Sequence, residues 1–248
     1  MSNNACLALL LDGPMQSWGF ASRFTRRGSA LFPTKSGVIG LVAAAMGVNK
    51  FKPDEAETVG RLAALHCIVV ALPRQRRGEP LPILRLEDFH TIGGGFDPDK
   101  DRQSMPRSAD GKTLKNPVVS YRHFLLDARF GVLLEGEKAL IGQAATALLN
   151  PKWGVWLGRK CCTPASPIFV AVAASQELAW LSLLKRAGYS DNIPLGQFDH
   201  VEDAAAGEQG SEVLNDTPIA FGAPIGQRHT LRRVVTRHRS TGPVKPKS

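Results

Sequence analysis

Seven consecutive apolar residues, Ala5 to Leu11, stand near the start of the chain. A run this continuous and this short predicts a buried strand. Gly13 and Pro14 stop it, and residues 13–33, rich in Gly, Ser and Arg, read as a long loop. Thr34-Lys35-Ser36 then opens a helix. Thr34 or Ser36 is a natural N-cap, residues 37–46 are small and apolar, and Gly47 closes the element. The pattern predicts a second short helix over 55–65 and a strand over 66–72. Pro73 to Gly78 is a basic turn, and 81–89 is another extended stretch. Apolar residues return as a strand over 121–134, a helix over 137–149 that ends before Pro151, a strand over 167–174 and a helix over 176–187. Residues 188–248 read as irregular, with short strand-like pieces.

Between the third and fourth extended segments the character changes. Residues 91–119 begin with Gly93-Gly94-Gly95, carry three prolines and hold little apolar content. A polar segment of this length inside a compact domain is usually functional or disordered. With insertions set aside, the order is strand, helix, strand, strand, helix, strand. That is the α+β, ferredoxin-like βαββαβ plan, shared with RNA-recognition-motif domains. The expected division is a core over 1–175, interrupted by the insertion at 91–119, and a C-terminal subdomain with a basic tail over 176–248.

Composition narrows the classes. Hydrophobic residues make up 43% and charged residues 21%, which excludes disorder over the whole length. No apolar run approaches the ~20 residues of a membrane span. The N-terminal residues lack the basic region and cleavage site of a signal peptide. Cys6, Cys67, Cys161 and Cys162 form no C-x-x-C, and no His pair has ligand spacing, so they read as structural thiols. The expectation is a reducing, cytoplasmic setting with no metal and no cofactor.

Charge points to a partner. The chain holds 31 Lys+Arg against 22 Asp+Glu, a net +9. Residues 13–53 contain no acid, and none follows Asp216, while Asp191 to Asp216 holds seven acids and no Lys or Arg. Blocks of one sign make surfaces of one sign. A basic face beside an acidic one suits a protein that grips a polyanion and also docks on other proteins; a frayed basic tail beyond Arg239 is the simpler account of the last residues.

Four stretches carry candidate chemistry. Gly28 to Ser36 resembles a phosphate loop, but Thr34 stands where the Walker pattern needs Gly before Lys, so triphosphatase activity is not supported. Thr34, Lys35 and Ser36 still sit at a helix N-terminus, where free N–H groups favour an anion; an ordinary cap is the alternative. In Gly13-Pro14-Met15-Gln16-Ser17-Trp18-Gly19, Trp18 can stack on a base and Gln16 can meet a base edge, or Trp18 folds back as a lid on the core. Trp153 and Trp156 precede Arg159 and Lys160, and their spacing puts at least one of them in the core. Tyr121, Arg122 and His123 offer a general acid/base set, or simply alternate along a strand; no carboxylate stands at useful spacing from His123.

Taken together these blocks resemble the CasD family, the Cas-five subunits of the type I-E CRISPR surveillance complex Cascade. The resemblance runs through residues 13–19, 32–47, Asp88 to Thr91, Tyr121 to Phe130, and Pro151 to Pro167 with Leu157-Gly158-Arg159-Lys160-Cys161-Cys162 at its centre. It spans residues 5–172, and the chain after 175 is not distinctive. It implies an RNA-recognition-motif core with a protruding β-hairpin thumb at 91–119. Such subunits hold the 5′ handle of the CRISPR RNA, cap the CasC filament and abut the large subunit CasA, meeting target DNA only through the complex. Carried onto this chain, the expected RNA contacts are Gln16, Ser17, Trp18, Arg23, Arg26, Arg27, Thr34, Lys35, Ser36, Arg122, His123, Arg159 and Lys160. Arg102, Arg107, Lys112 and Lys115 would add thumb contacts. In type I-E the transcript is cut by another subunit, CasE. The type I-C counterpart cuts RNA with a Tyr, Lys and His set, where this chain has Arg122 in place of Lys. Arg does not deprotonate at accessible pH, so the expectation is a non-catalytic subunit. The rivals are a metal-independent endonuclease acting through His123 or His90, and a structural subunit without RNA contact.

Overall fold

The fold is described from a computed structural model, over residues 3–20, 25–77, 79–92, 111, 117–189, 192–224 and 226–239. The elements are β1 (Asn4–Asp12), α1 (Lys35–Met46), α2 (Glu55–Ala63), β2 (His66–Ala71), β3 (Leu84–Ile92), β4 (Val118–Leu126), β5 (Arg129–Glu137), α3 (Lys138–Leu149), β6 (Phe169–Ala173), α4 (Gln176–Arg186), β7 (His200–Asp203), β8 (Glu212–Pro218) and β9 (His229–Arg237). Two-residue bridges at Met15–Gln16, Trp18–Gly19, Arg26–Arg27 and Ser29–Ala30 lie in what the sequence predicts as one long loop.

One antiparallel sheet runs β6-β1-β5-β2-β7-β9-β8. Read across the sheet, its first four strands are fourth, first, third and second among themselves in chain order. The continuous apolar run of β1 is explained by cover on both faces. Leu7, Leu9 and Leu11 enter a core with α1 and α3. Cys6, Ala8 and Leu10 enter a second core with Ala179, Trp180 and Leu183 of α4. Thr34 caps α1, its hydroxyl accepting from the Gly37 N–H at 3.3 Å. Gly47 ends α1 with φ 73°, a left-handed conformation that favours glycine.

Two predictions of structure need correction. The strand expected over 121–134 is two strands, because Asp127 turns the chain with φ 50°. β4 thereby leaves the main sheet and pairs with β3 in a long hairpin, in register from Leu126↔Leu84 to Val118↔Ile92. The region beyond 188, read as irregular with short strand-like pieces, contains three paired strands, β7, β8 and β9. These join the outer edge of β2 and extend the main sheet. Their apolar residues are few and interrupted by charge, so their pairing depends on a partner strand far away in sequence. The centre of the expected thumb, with Arg102, Arg107, Lys112 and Lys115, lies outside the described residues, as do Arg23 and the tail after Arg239. Among the described residues no helix is long and apolar enough to cross a membrane.

Candidate nucleic-acid interface

The two-residue alternation of strands sorts the basic side chains. Arg26 and Arg27 run parallel to β4, opposite Tyr121 and Arg122 respectively. Arg26 lies over the Tyr121 ring at 5.2 Å and 3.7 Å from Glu87. Arg27 takes the opposite face, where its carbonyl accepts from the Arg159 guanidinium at 3.0 Å. Arg159 also donates to Ser17 Oγ at 2.8 Å and lies over the Phe124 ring at 5.4 Å. Burial lowers the Arg159 pKa from its ordinary value, and the charges of Arg122 and Arg27 act in the same direction. Three guanidiniums therefore gather on one side of the hairpin.

Beside them opens a cleft of about 380 Å³, lined by Ser17, Trp18, Gly19, Arg27, Thr34, Ser36, Gly37, Gly158, Arg159, Phe221 and His229. No carboxylate is among these lining residues. Gly158 makes the close approach possible. It has φ 91°, and a Cβ there would lie 1.8 Å from the Ser17 carbonyl oxygen. The segments are tied by the Ser17 N–H donating to the Leu157 carbonyl at 3.0 Å. Phe221 packs beside Gly40 of α1, and its N–H donates to the buried Glu55 carboxylate. Burial lowers the His229 pKa from the ordinary 6.5, with Asp216 opposing and Arg228 reinforcing the change. Phe221 and His229 belong to the segment that the sequence leaves uncharacterised. The only signal there was that they fall in the acid-free run after Asp216.

Several expected contacts turn out to hold the site rather than present it. The Gln16 amide donates to the carbonyls of Leu11 at 3.0 Å and Ala128 at 2.7 Å and accepts from the Trp18 indole at 3.0 Å. Gln16 and Trp18 are both fully buried, so Trp18 is a core residue with no face open for stacking. Ser17 donates to the His123 carbonyl at 2.9 Å. Lys35 is buried and its ammonium meets Asp203 at 2.7 Å. Its backbone N–H donates to Asp216 at 2.8 Å, so the protein supplies its own anion at the start of α1. Thr34 is a buried cap, and Ser36, 3.3 Å from the Thr34 hydroxyl, borders the cleft. Arg122 donates to Ser120 Oγ at 3.1 Å. Lys160 is exposed.

Of the remaining candidates, His123 has a carboxylate partner that spacing does not reveal: Glu87, directly across the hairpin, at 2.6 Å. His90 lies 3.7 Å from Asp88. Neither Trp153 nor Trp156 is in the core, as they are 43% and 36% exposed. Cys6, Cys67 and Cys162 are buried, and burial pushes their thiols up to about 12; Cys161 is exposed. Among the described residues, no group of three or more His, Cys, Asp or Glu is placed to hold a metal ion.

The chain as a whole is similar to known proteins. The family described as CRISPR-associated protein (Cas_Cas5) matches residues 6–247. The CRISPR system Cascade subunit CasD of Escherichia coli (strain K12) is 26% identical over 220 residues, covering 86% of this chain and 88% of that protein. A chain of a solved CRISPR RNA-guided surveillance complex superposes with a TM-score of 0.69 at 28% identity, over 97% of this chain and 95% of that one. A crystal structure of a Cas protein superposes with a TM-score of 0.57 at 26% identity, over 94% and 93% of the two chains.

Proposed function

The chain belongs to the Cas5 family of CRISPR-associated proteins, and from that premise we propose that it is a non-catalytic RNA-binding subunit of a Cascade-type surveillance complex. It holds the 5′ handle of the guide RNA and caps the CasC filament beside CasA, meeting target DNA only through the complex. In this reading β6-β1-β5-β2 with α1 and α3 is the ferredoxin-like core, and the β3–β4 hairpin is the stem of the thumb.

The observation that carries the proposal is the cleft lined by Arg27 and Arg159 with no carboxylate beside them. Guanidiniums that converge on a hollow without a carboxylate partner among the described residues repel one another and are relieved by an anion. The volume, about 380 Å³, falls in the ~300–1,000 Å³ range of small-ligand sites, room for a nucleotide unit and not for a duplex. Single-stranded RNA fits because its phosphates take the guanidiniums and its bases remain free to reach side chains.

The test is binding of repeat RNA to the purified chain across a salt series, with EDTA present. Affinity should fall with salt at a slope of roughly −0.7 per phosphate contact. Arg27→Ala should shallow that slope while changing stability by about 0.5 kcal/mol or less, since it is exposed. A salt-independent affinity would overturn the reading. The His123–Glu87 contact favours a second one, acid/base cleavage of RNA. Its signature is metal-independent cleavage of the same RNA that disappears in His123→Ala.

A further inference from the structure

We propose that the face of the β3–β4 hairpin opposite the cleft is a stacking site for an unpaired base of single-stranded RNA. The ligand rests on the RNA-binding reading above, but the site is a different surface. Strand alternation puts Glu87 and Phe89 of β3 on this face with Tyr121 and His123 of β4, and Arg26 runs beside them. Phe89 and Tyr121 pair directly, ring centroids 5.3 Å apart and planes tilted by 58°. Phe89 is nevertheless 60% exposed, and among the described residues β3 is hydrogen-bonded only to β4. Tyr121 is half-buried under Arg26, which leaves Phe89 as an aromatic ring open to water on a sheet face, the feature on which nucleobases stack.

The surrounding charge selects RNA over a protein. The Arg26 side chain is 72% exposed and Arg85, on the same face, is also exposed. Among the described residues the one carboxylate on this patch, Glu87, is engaged by both His123 and Arg26, so its charge is offset. Leu84, Leu86 and Ile92, the apolar neighbours that a protein partner would bury, alternate onto the other face. What remains is an aromatic platform with a cationic rim, matched to a base and its flanking phosphates.

The experiment uses fluorescence anisotropy with hexauridine RNA and with an abasic hexamer that keeps the phosphates and lacks bases. Phe89→Ala should weaken hexauridine binding roughly ten-fold, leave abasic binding unchanged and keep the melting temperature. Phe89→Trp should restore affinity, and its added indole emission should be quenched by hexauridine. The loss should persist in full when combined with Arg27→Ala, as expected of independent sites. Unchanged hexauridine affinity in Phe89→Ala, or an equal loss for the abasic strand, overturns the inference and leaves the cleft reading standing. Unchanged RNA affinity with failed incorporation into the complex assigns the face to a protein and also overturns it. If the wild-type chain binds neither strand, both readings fall together.

Discussion

Trp18 shows how one side chain takes its role from where its polar atom goes. Its indole N–H is satisfied by Gln16, whose own amide is used up by two backbone carbonyls, that of Leu11 nearby in the chain and that of Ala128 far from it. A buried polar group with every bond made is cheap to keep and costly to disturb. Trp18→Ala is therefore expected to cost about 3–5 kcal/mol, read as a large drop in melting temperature. A variant that melts normally but loses RNA would return Trp18 to the binding surface. Gly158 makes a related case: any Cβ there runs into the Ser17 carbonyl, and its φ is left-handed. Gly158→Ala should cost about 1–3 kcal/mol from backbone strain alone and should open the cleft, so stability and RNA affinity should fall together. Isothermal denaturation beside a binding titration checks it. From sequence, Trp18 stood open between stacking and core, because a lone Trp carries no record of what covers it.

The hairpin is the element whose meaning the sequence half revealed. Alternation along β3 and β4 was legible, but which strands paired was not, so Arg26 with Arg27, and Arg122 with His123, looked like single sites. Strand alternation separates each pair onto opposite faces, and register shows what each residue meets there. Ile92 and Val118 stand opposite one another at the last described rung of the ladder. A short Gly-Ser turn in place of 93–116 therefore has two strand ends already in register to join, and loop shortening changes closure entropy by only about 1 kcal/mol. The shortened chain should keep its melting temperature within a few degrees and lose incorporation into the complex with guide RNA. Normal incorporation and normal guide protection would refute a clasping role for that segment.

At the scale of the molecule, a buried ionic cluster joins the start of α1 to β7, β8 and β9. Asp203 of β7 accepts from Lys35 and Arg232 and from the Cys67 N–H. Asp216 of β8 accepts from Arg232 and from the Lys35 N–H. The strands that carry Phe221 and His229 to the cleft are thus locked to the start of α1. Burial works against the Asp203 charge, but Lys35 and Arg232 outweigh it and hold the pKa below the ordinary 3.8. Burial likewise opposes the Arg232 charge, and the hydrogen bonds and charge of Asp216 more than offset it. A depressed carboxylate pKa contributes stability that is full above 3.8 and is lost as pH falls through the lowered value. Asp203→Asn should cost about 3–5 kcal/mol at neutral pH, and its melting temperature should fall less steeply than wild type below about pH 4. Melting curves from pH 3 to 7 decide it; parallel acid profiles would show that the cluster does not couple folding to pH.

The linear order of residues narrowed the start of α1 to Thr34 or Ser36 and determined its end at Gly47, the core strand 5–11, the basic surplus and the family. Each of these depends on local periodicity, on residue types with fixed backbone preferences, or on blocks that survive as blocks. Only the tertiary structure decided that Lys35 is spent on Asp203, that Glu87 reaches His123, and that Phe221 and His229 complete a cleft begun by Arg27 and Arg159. Those are meetings between segments tens to hundreds of residues apart. Sequence periodicity records which side of its own element a residue faces, and carries no term for what the other side of the contact will be.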